Sequence, residues 1–539
     1  MSQADARLDL RDRDRLFAAL EAEVFDLAVI GGGITGAGIA RDAAMRGLRV
    51  ALVEARDFAS GTSSRSSKMV HGGLRYLAQG DVSLVREAAR ERKAVEAIAP
   101  HLARETPFVI PARSAAGIAR LKAALWTFEK LGAVPKARRH RAWSKKELSE
   151  REPALKTEGL AGAVVYPEFL TDDSRLTLAN VRSAAAAGAV IVSRARVDSL
   201  LLESGGVAGV LANESLAGAP VRSSRLRGRV VVNAAGPWAD EIRAMEAPDA
   251  EAMLELSGGI HLVVPRNRLP IDRTLVLQAA DRRGIFAVPR DEVCYIGTTD
   301  VFAPGPDAWP RIDPDQVAYL LAAAAATLAI PPLGPEDVVS VWAGARPLIA
   351  QPGKSASEIS RKDELLRGPG GMLSIAGGKL TAYRAMAERV VDQVEADLGR
   401  RTTRCRTATA PLPGGERDFS MVLAELARLG LDGGEANRLA RLYGAEASEL
   451  LAEGGGPAVE GRRAVLVEGA LGLEDWWVRR SGRAWFDRDA GMEALAVAAE
   501  AMAPLLAWSK EETAAQIGAC RQIHERDMAN VRAAPAQAR

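Results

Sequence analysis

Over the first half of the chain, short unbroken apolar runs alternate with stretches of helical spacing. Residues 27–30 (LAVI) and 50–53 (VALV) are apolar throughout, as strands covered on both faces are. Between them, 37–46 reads as a helix. Residues 190–192, 207–212 and 229–233 read as further strands, with a helix expected over 175–187, capped by Asp173 or Ser174 and stopped by Gly188. Helical spacing recurs at 81–98 and 115–131, and Tyr166-Pro167 is expected to begin a loop reaching Asp172-Asp173-Ser174. From about 250 to 350 the pattern turns strand-rich, at 260–264, 274–277, 284–288, 293–297 and 338–343, interrupted by an amphipathic stretch at 313–328. A strand, turn and helix follow from 373 to about 398, and Pro411 to Gly415 reads as a linker. Residues 417–530 carry an all-helical pattern.

This order of elements predicts an α/β protein with a discontinuous Rossmann-like domain at 25–80, 160–250 and 350–400. A substrate or cap domain with a mixed or antiparallel sheet is expected at 81–159 and 251–349, and a helical domain at 411–539. Residues 1–24 read as a charged leader with helical spacing at Leu16, Leu20 and Val24, packed on the surface.

The first apolar run feeds into Gly31, Gly33 and Gly36, spaced G-x-G-x-x-G. The three positions suit a tight turn, close approach of backbone N–H groups to a pyrophosphate, and close packing of helix on strand. The helix N-terminus then faces the phosphates with its positive end. Glu54, at the end of the second apolar run, is placed to bind a ribose hydroxyl. Alone the glycines indicate a dinucleotide, NAD or FAD. Residues 57–77, DFASGTSSRSSKMVHGGLRYL, are dense in hydroxyls and glycines, with cations interspersed. They read either as a solvated loop or as a segment along the cofactor, with Ser63, Ser64, Ser67 and Lys68 available to phosphate and His71 and Gly72 closing it. The strand at 229–233 runs into Asn233-Ala-Ala-Gly236, where small residues suit close approach to a cofactor.

Composition narrows the class. A chain of 539 residues is long for one core, so two or three domains are expected. Lys and Arg number 71 against 69 acids, a balance that argues against a nucleic-acid binder. The three cysteines, Cys294, Cys405 and Cys520, lie far apart, so neither a disulfide framework nor a structural metal site is expected. No apolar run reaches the roughly 18–20 residues that span a bilayer, and no signal-peptide core opens the chain. A cytoplasmic protein, or one peripheral on the cytoplasmic face of a membrane, is expected. The stretch 115–131 carries Leu121, Leu125, Trp126 and Phe128 before the basic run Lys136, Arg138, Arg139, His140 and Arg141. It reads either as an interfacial helix or as a core helix followed by a solvated loop.

Taken together, these blocks resemble the FAD-dependent glycerol-3-phosphate dehydrogenases, over about residues 24 to 530. The likeness rests on LAVIGGGITGAGIARDAAMRGLRVALVEARDFASGTSSRSSKMVHGGLRYL, DDSRLTLAN, NAAGPWAD, GIHLVVP, IGTTD, GARPL, GGKLTAYR and EDWWVRR, in that order. It implies a two-domain flavoprotein fold of the wider amine and hydroxy-acid oxidase group, non-covalent FAD, and oxidation of sn-glycerol 3-phosphate with electrons passed to a quinone. Oxygen as acceptor and an amine or amino-acid substrate are the alternatives, and a homodimer is held open. His261 resembles the substrate-side histidine and suits the role of base, with His71 as second candidate. Arg75 and Arg346 resemble the phosphate-binding arginines, with Tyr76 and Lys379 nearby, and Arg346 can instead stabilise an alkoxide. Gly377, Gly378, Lys379 and Thr381 open a helix after a strand, where free N–H groups suit the reduced flavin. Before His261 the chain has Gly258-Gly259-Ile260, where the family often carries Lys-Gly-Ser.

Overall fold

The computed structural model describes residues 6–72, 82–351 and 363–535. Its first sheet runs in the order Asp363–Arg367, Leu373–Gly377, Ser223–Asn233, Phe25–Ile30, Val50–Val53, Val190–Val192. All neighbours are parallel except the first pair. Phe25–Ile30 and Val50–Val53 are buried at every position, because helices lie against the sheet. Helix Ile34–Met45 packs between Asp173–Ala186 and Tyr383–Asp397, so a segment from late in the chain completes the nucleotide-binding layer. A hairpin, Ala195–Glu203 with Gly206–Glu214, extends the sheet from the outer half of Ser223–Asn233.

The second sheet is mixed and has ten strands. It centres on Leu254–Pro265, flanked by Val293–Gly297 and Ser340–Ile349 in antiparallel register. It continues through Gly284–Arg290 and Thr274–Gln278 to Arg104–Ala112, the last two being parallel, and then to Gly162–Leu170 and Met69–Val70. Helix Pro314–Thr327 covers it. Met69–Val70 carries the serine-rich segment directly from the nucleotide domain into this sheet.

Three local expectations are corrected. Tyr166 and Pro167 lie inside Gly162–Leu170 and begin no loop; Pro167 sits opposite Pro107, so neither leaves a backbone donor unpaired. The helix that follows is capped by Asp172, whose carboxylate accepts from the Arg175 N–H, and not by Asp173 or Ser174. In the leader, the helical spacing corresponds to a helix, Arg13–Glu21, whose Leu16, Phe17 and Leu20 are buried in the first core, but Val24 lies beyond its end and is exposed instead of packed.

Helices from Phe419 to Arg532 form the last part of the chain, with one π-helical turn at Asp475–Arg480. This part shares a core with the second sheet: Trp476, Trp477, Trp485 and Phe486 pack with Phe108, Tyr166, Tyr295 and Trp342. No described helix is long and apolar enough to cross a membrane. Helix Ala115–Leu131 buries Leu125 and Phe128 and leaves Trp126 56% exposed, while Arg138 pairs with Glu96 and Glu105 and His140 with Glu129.

Candidate active site

A cavity of about 1060 Å³ opens where the carboxyl ends of the parallel strands meet the second sheet. At one end is the glycine turn. Gly31 has φ +106°, and a Cβ there would stand 2.6 Å from the Ala234 carbonyl oxygen. A Cβ on Gly36 would overlap the Gly31 carbonyl oxygen, so helix Ile34–Met45 rests on the turn backbone to backbone. Gly33 is the N-cap of that helix and supplies no side-chain cap. The Ile34 N–H instead donates to Ser63 Oγ (2.9 Å). A Cβ on Gly33 would meet nothing but that oxygen within 4 Å, so the helix N-terminus is open to the cavity, as a phosphate requires.

Glu54 accepts from the N–H groups of Gly32 (2.6 Å) and Arg56 (2.8 Å), which ties the second strand to the turn. Burial raises its pKa, and those two hydrogen bonds oppose the rise. Its carboxylate lines the cavity with lone pairs still available for a ribose hydroxyl.

The serine-rich segment forms the adjoining wall. Thr62 Oγ1 donates to the Ala345 carbonyl (2.6 Å), and the Ser66 hydroxyl and N–H both donate to Asp173. Lys68, expected at a phosphate, does not line the cavity. Its ammonium is fully buried and donates to Asp173 (2.6 Å) and to the Ser64 carbonyl (2.9 Å), behind the wall. Ser64 and Gly72 also stand away from the cavity. Ser64 is buried, and the Gly72 N–H donates to Glu168, packed where a Cβ would strike Phe128. Asp57, at the head of the segment, is buried between Arg479 and Arg480 of the helical domain.

Across the cavity, Asn233 Nδ2 donates to the Ala239 carbonyl (2.9 Å) and Oδ1 accepts from the Ala235 N–H, shaping the turn at Gly236 (φ +58°). Gly377 and Gly378 have φ of +72° and +85°. Lys379 lines the cavity beside them, and Thr381 Oγ1 donates to the His71 carbonyl (3.1 Å). The helix begins at Tyr383, after a 3-10 turn.

Arg346 points into the same space from Ser340–Ile349. Its Nη1 donates to Asp300 Oδ1 (3.2 Å) and Ser257 Oγ (3.3 Å), and its Nη2 to Thr298 Oγ1 (3.1 Å). Met69, Phe108, Tyr166 and Phe286 add an apolar wall. His261 is only 1% exposed and does not line the cavity; its ring stacks on Trp342 (4.6 Å between centroids, 12°). Its Nε2 meets Ser67 Oγ at 2.9 Å. Burial, then the charges of Arg346 and Lys68, hold its pKa well below the ordinary imidazole value.

One cavity thus gathers Gly31, Gly33, Glu54, Ser63, Ser67, His71, Gly236, Gly378, Lys379, Thr381 and Arg346, while Gly36 acts from behind the turn. Arg75 and Tyr76 lie outside the described residues. Sequence reasoning missed Thr298, Asp300 and Tyr166. The first two lie in the quoted IGTTD block and carried a signal; Tyr166 was hidden by the loop expected there.

Comparison with known proteins completes the description. A family model described as FAD dependent oxidoreductase matches residues 26–384, and one described as the C-terminal domain of alpha-glycerophosphate oxidase matches 405–513. An aerobic glycerol-3-phosphate dehydrogenase of Staphylococcus aureus (strain USA300) is 38% identical over 454 residues, 81% of each chain. The solved structure of the glycerol-3-phosphate dehydrogenase from Bacillus halodurans complexed with FAD is 33% identical. It superposes with a TM-score of 0.79 over 98% of this chain and 100% of that one. The L-alpha-glycerophosphate oxidase of Mycoplasma pneumoniae with FAD bound is 18% identical, covers 72% of this chain and 99% of its own, and has a TM-score of 0.56, a likeness of fold alone.

Proposed function

The chain belongs to the FAD-dependent glycerol-3-phosphate dehydrogenases, and on that premise we propose that it oxidises sn-glycerol 3-phosphate to dihydroxyacetone phosphate and passes the electrons to a quinone. The observation that carries the reading is that a dinucleotide cradle and Arg346 open into one cavity. FAD is the cofactor, and when bound it supplies the acceptor for the substrate's hydride. The chain's own groups fit it: the open helix end at Gly33 for the pyrophosphate, Glu54 for the ribose, and the glycine turn at 377–378 with Lys379 for the flavin end.

Arg346 holds the phosphate dianion through its planar fork, or steadies the alkoxide as it forms; Arg75, Tyr76 and Lys379 join it on the strength of the family resemblance. The apolar wall of Phe108, Tyr166 and Phe286 keeps water from the reacting carbon. Helix Ala115–Leu131, with Trp126 outermost beside exposed Lys122 and Lys130, supports peripheral contact with the cytoplasmic face of a membrane.

The test is anaerobic mixing of the yellow protein with substrate. Glycerol 3-phosphate should bleach the flavin and glycine or sarcosine should not; the reverse result sinks the reading. Stopped-flow reoxidation then separates acceptors, with fast reaction with a short-chain quinone and slow reaction with oxygen expected. Fast reaction with oxygen alone would make the protein an oxidase.

A further inference from the structure

The hydroxyl of Ser67 links the cavity to the buried imidazole of His261. Ser67 lines the cavity and His261 does not, and Oγ and Nε2 are 2.9 Å apart. The imidazole is held tightly. Trp342 stacks on one face, Tyr295 meets it edge-on at 6.1 Å, and Gly297 packs where any Cβ would collide with the ring. The same two aromatic residues hold the backbone that carries the serine. Tyr295 Oη donates to the Ser67 carbonyl (3.0 Å) and Trp342 Nε1 to the Ser66 carbonyl (3.3 Å). Among the described residues, Nδ1 of His261 has no hydrogen-bond partner, so the ring's one polar contact is Ser67. A ring needed only to fill the core would serve better as Phe, since an unsatisfied buried nitrogen costs free energy.

We propose that Ser67 and His261 form a two-member proton relay for the oxidation of the substrate alcohol. The inference rests on the alcohol-oxidising reading given above. As the C–H hydrogen leaves with its electron pair for FAD and the carbonyl forms, the substrate hydroxyl gives its proton to Ser67 Oγ. Ser67 gives its own proton to His261 Nε2, in the tautomer that carries hydrogen on Nδ1. The imidazole is thus the proton's destination without touching substrate. Burial, with Arg346 on one neighbouring strand and Lys68 behind, leaves the ring neutral before the step, with its Nε2 lone pair free for Ser67, and makes it hold the proton only transiently. Lys68 is itself neutralised by Asp173, and Tyr295 brings no charge.

The experiment is a double-mutant cycle on the FAD-loaded enzyme, reading the rate of flavin reduction by glycerol 3-phosphate in H2O and D2O. Ser67→Ala and His261→Gln should each slow reduction by on the order of 100-fold, the size expected for loss of general-base assistance. The double variant should be no slower than the slower single, because either change cuts the same path. Ser67→Thr keeps the hydroxyl and should recover reduction to within about tenfold of wild type, with the solvent isotope effect that Ser67→Ala loses. Flavin absorbance of each variant before mixing separates loss of cofactor from loss of rate. The relay is overturned if Ser67→Ala reduces its flavin within about twofold of wild type, or if the two single effects multiply in the double variant. Failure of wild type to be reduced by glycerol 3-phosphate at all would defeat the alcohol-oxidising reading instead.

Discussion

Gly33 and Gly36 are three residues apart in one motif, yet the structure gives them separable roles. Gly33→Ala puts a methyl 3.2 Å from Ser63 Oγ and near nothing else, at a position with ordinary φ of −75°. Ser63 must turn, losing its bond to the Ile34 N–H at about 0.5–1.5 kcal/mol. The fold therefore survives, with an apo-protein Tm expected no more than about 4 °C below wild type. The methyl does project into the open helix end, so FAD binding should weaken at least 100-fold, about 2.7 kcal/mol. Gly36→Ala meets a different obstacle: its Cβ would overlap the Gly31 carbonyl oxygen and sit 3.1 Å from the carbonyl carbon. Neither atom can rotate away, because Gly31 is pinned by its N–H to the Val53 carbonyl (2.8 Å) and its own Cβ position faces Ala234. The helix must back off a strand that is almost fully buried, at about 1–3 kcal/mol or more for overpacking. The assay is thermal unfolding of deflavinated protein together with FAD titration by fluorescence quenching. Gly33→Ala should lose affinity and keep stability; Gly36→Ala should lose both. Wild-type affinity in Gly33→Ala would refute the phosphate cradle.

Three further outcomes follow from the same geometry. Arg346→Ala should lower kcat/KM for glycerol 3-phosphate at least tenfold with FAD retained, since a charge-assisted contact is worth about 1.5–3 kcal/mol. It also bares Asp300 to an anionic substrate, so adding Asp300→Asn should recover part of the loss in steady-state kinetics. Asp57→Asn leaves Arg479 and Arg480 buried without their shared carboxylate, and urea unfolding should show a loss of about 3 kcal/mol, softened by Glu474 and Asp475 on Arg479; an unchanged midpoint would remove this pairing from the account. His101 is fully buried, and desolvation, aided by Arg175, pulls its pKa down to about 3. The unfolded chain then binds the extra proton first, so stability is complete above pH 6.5 and is lost as pH falls from there toward 3. The loss is about 2 kcal/mol by pH 5, and His101→Gln should flatten the fall of Tm over that range.

What was legible in the sequence was what is local. The runs at 27–30 and 50–53 read as strands because they are apolar on both faces, and the helix over 115–131 matched its spacing to the residue. The hairpin strand Ala195–Glu203 was missed because its ARVDSLLLE pattern buries only alternate positions at first and then loses register at two bulges. The strand Gly162–Leu170 was missed because Pro167 signals a turn locally, and only the pairing with Pro107 removes the objection. In the site, the glycine spacing pointed to residues that do line the cavity, Gly31 and Gly33, but it could not show that Lys68 is turned away from it toward a partner. Asp173 lies 105 residues away, and no local pattern distinguishes an ammonium facing a phosphate from one buried on a carboxylate. His261 was legible as an imidazole and illegible as a buried one, since its depth is set by Trp342, Tyr295 and Gly297 on other strands.

The segment that forms the cofactor wall has little structure of its own beyond a single 3-10 turn, and nearly all that orders it is distant in sequence. Asp57 is held by Arg479 and Arg480; the Arg65 guanidinium lies 4.0 Å from the Trp309 ring and 5.8 Å from Trp485; Ser66 and Lys68 are held by Asp173. Three of these anchoring residues, Arg479, Arg480 and Trp485, belong to the C-terminal helical domain. That domain is therefore part of the cofactor site's energetics although none of its described residues lines the cavity. Linkage makes the consequence reciprocal: whatever free energy the docked domain adds to FAD binding by ordering residues 57–68, bound FAD returns to the docking of the domain. The wall is built from both ends of the chain, so a nucleotide-binding fold cut off before residue 405 would keep Gly31, Gly33 and Gly36 and still lack the fastenings that aim Ser63 and Ser67 at the cavity.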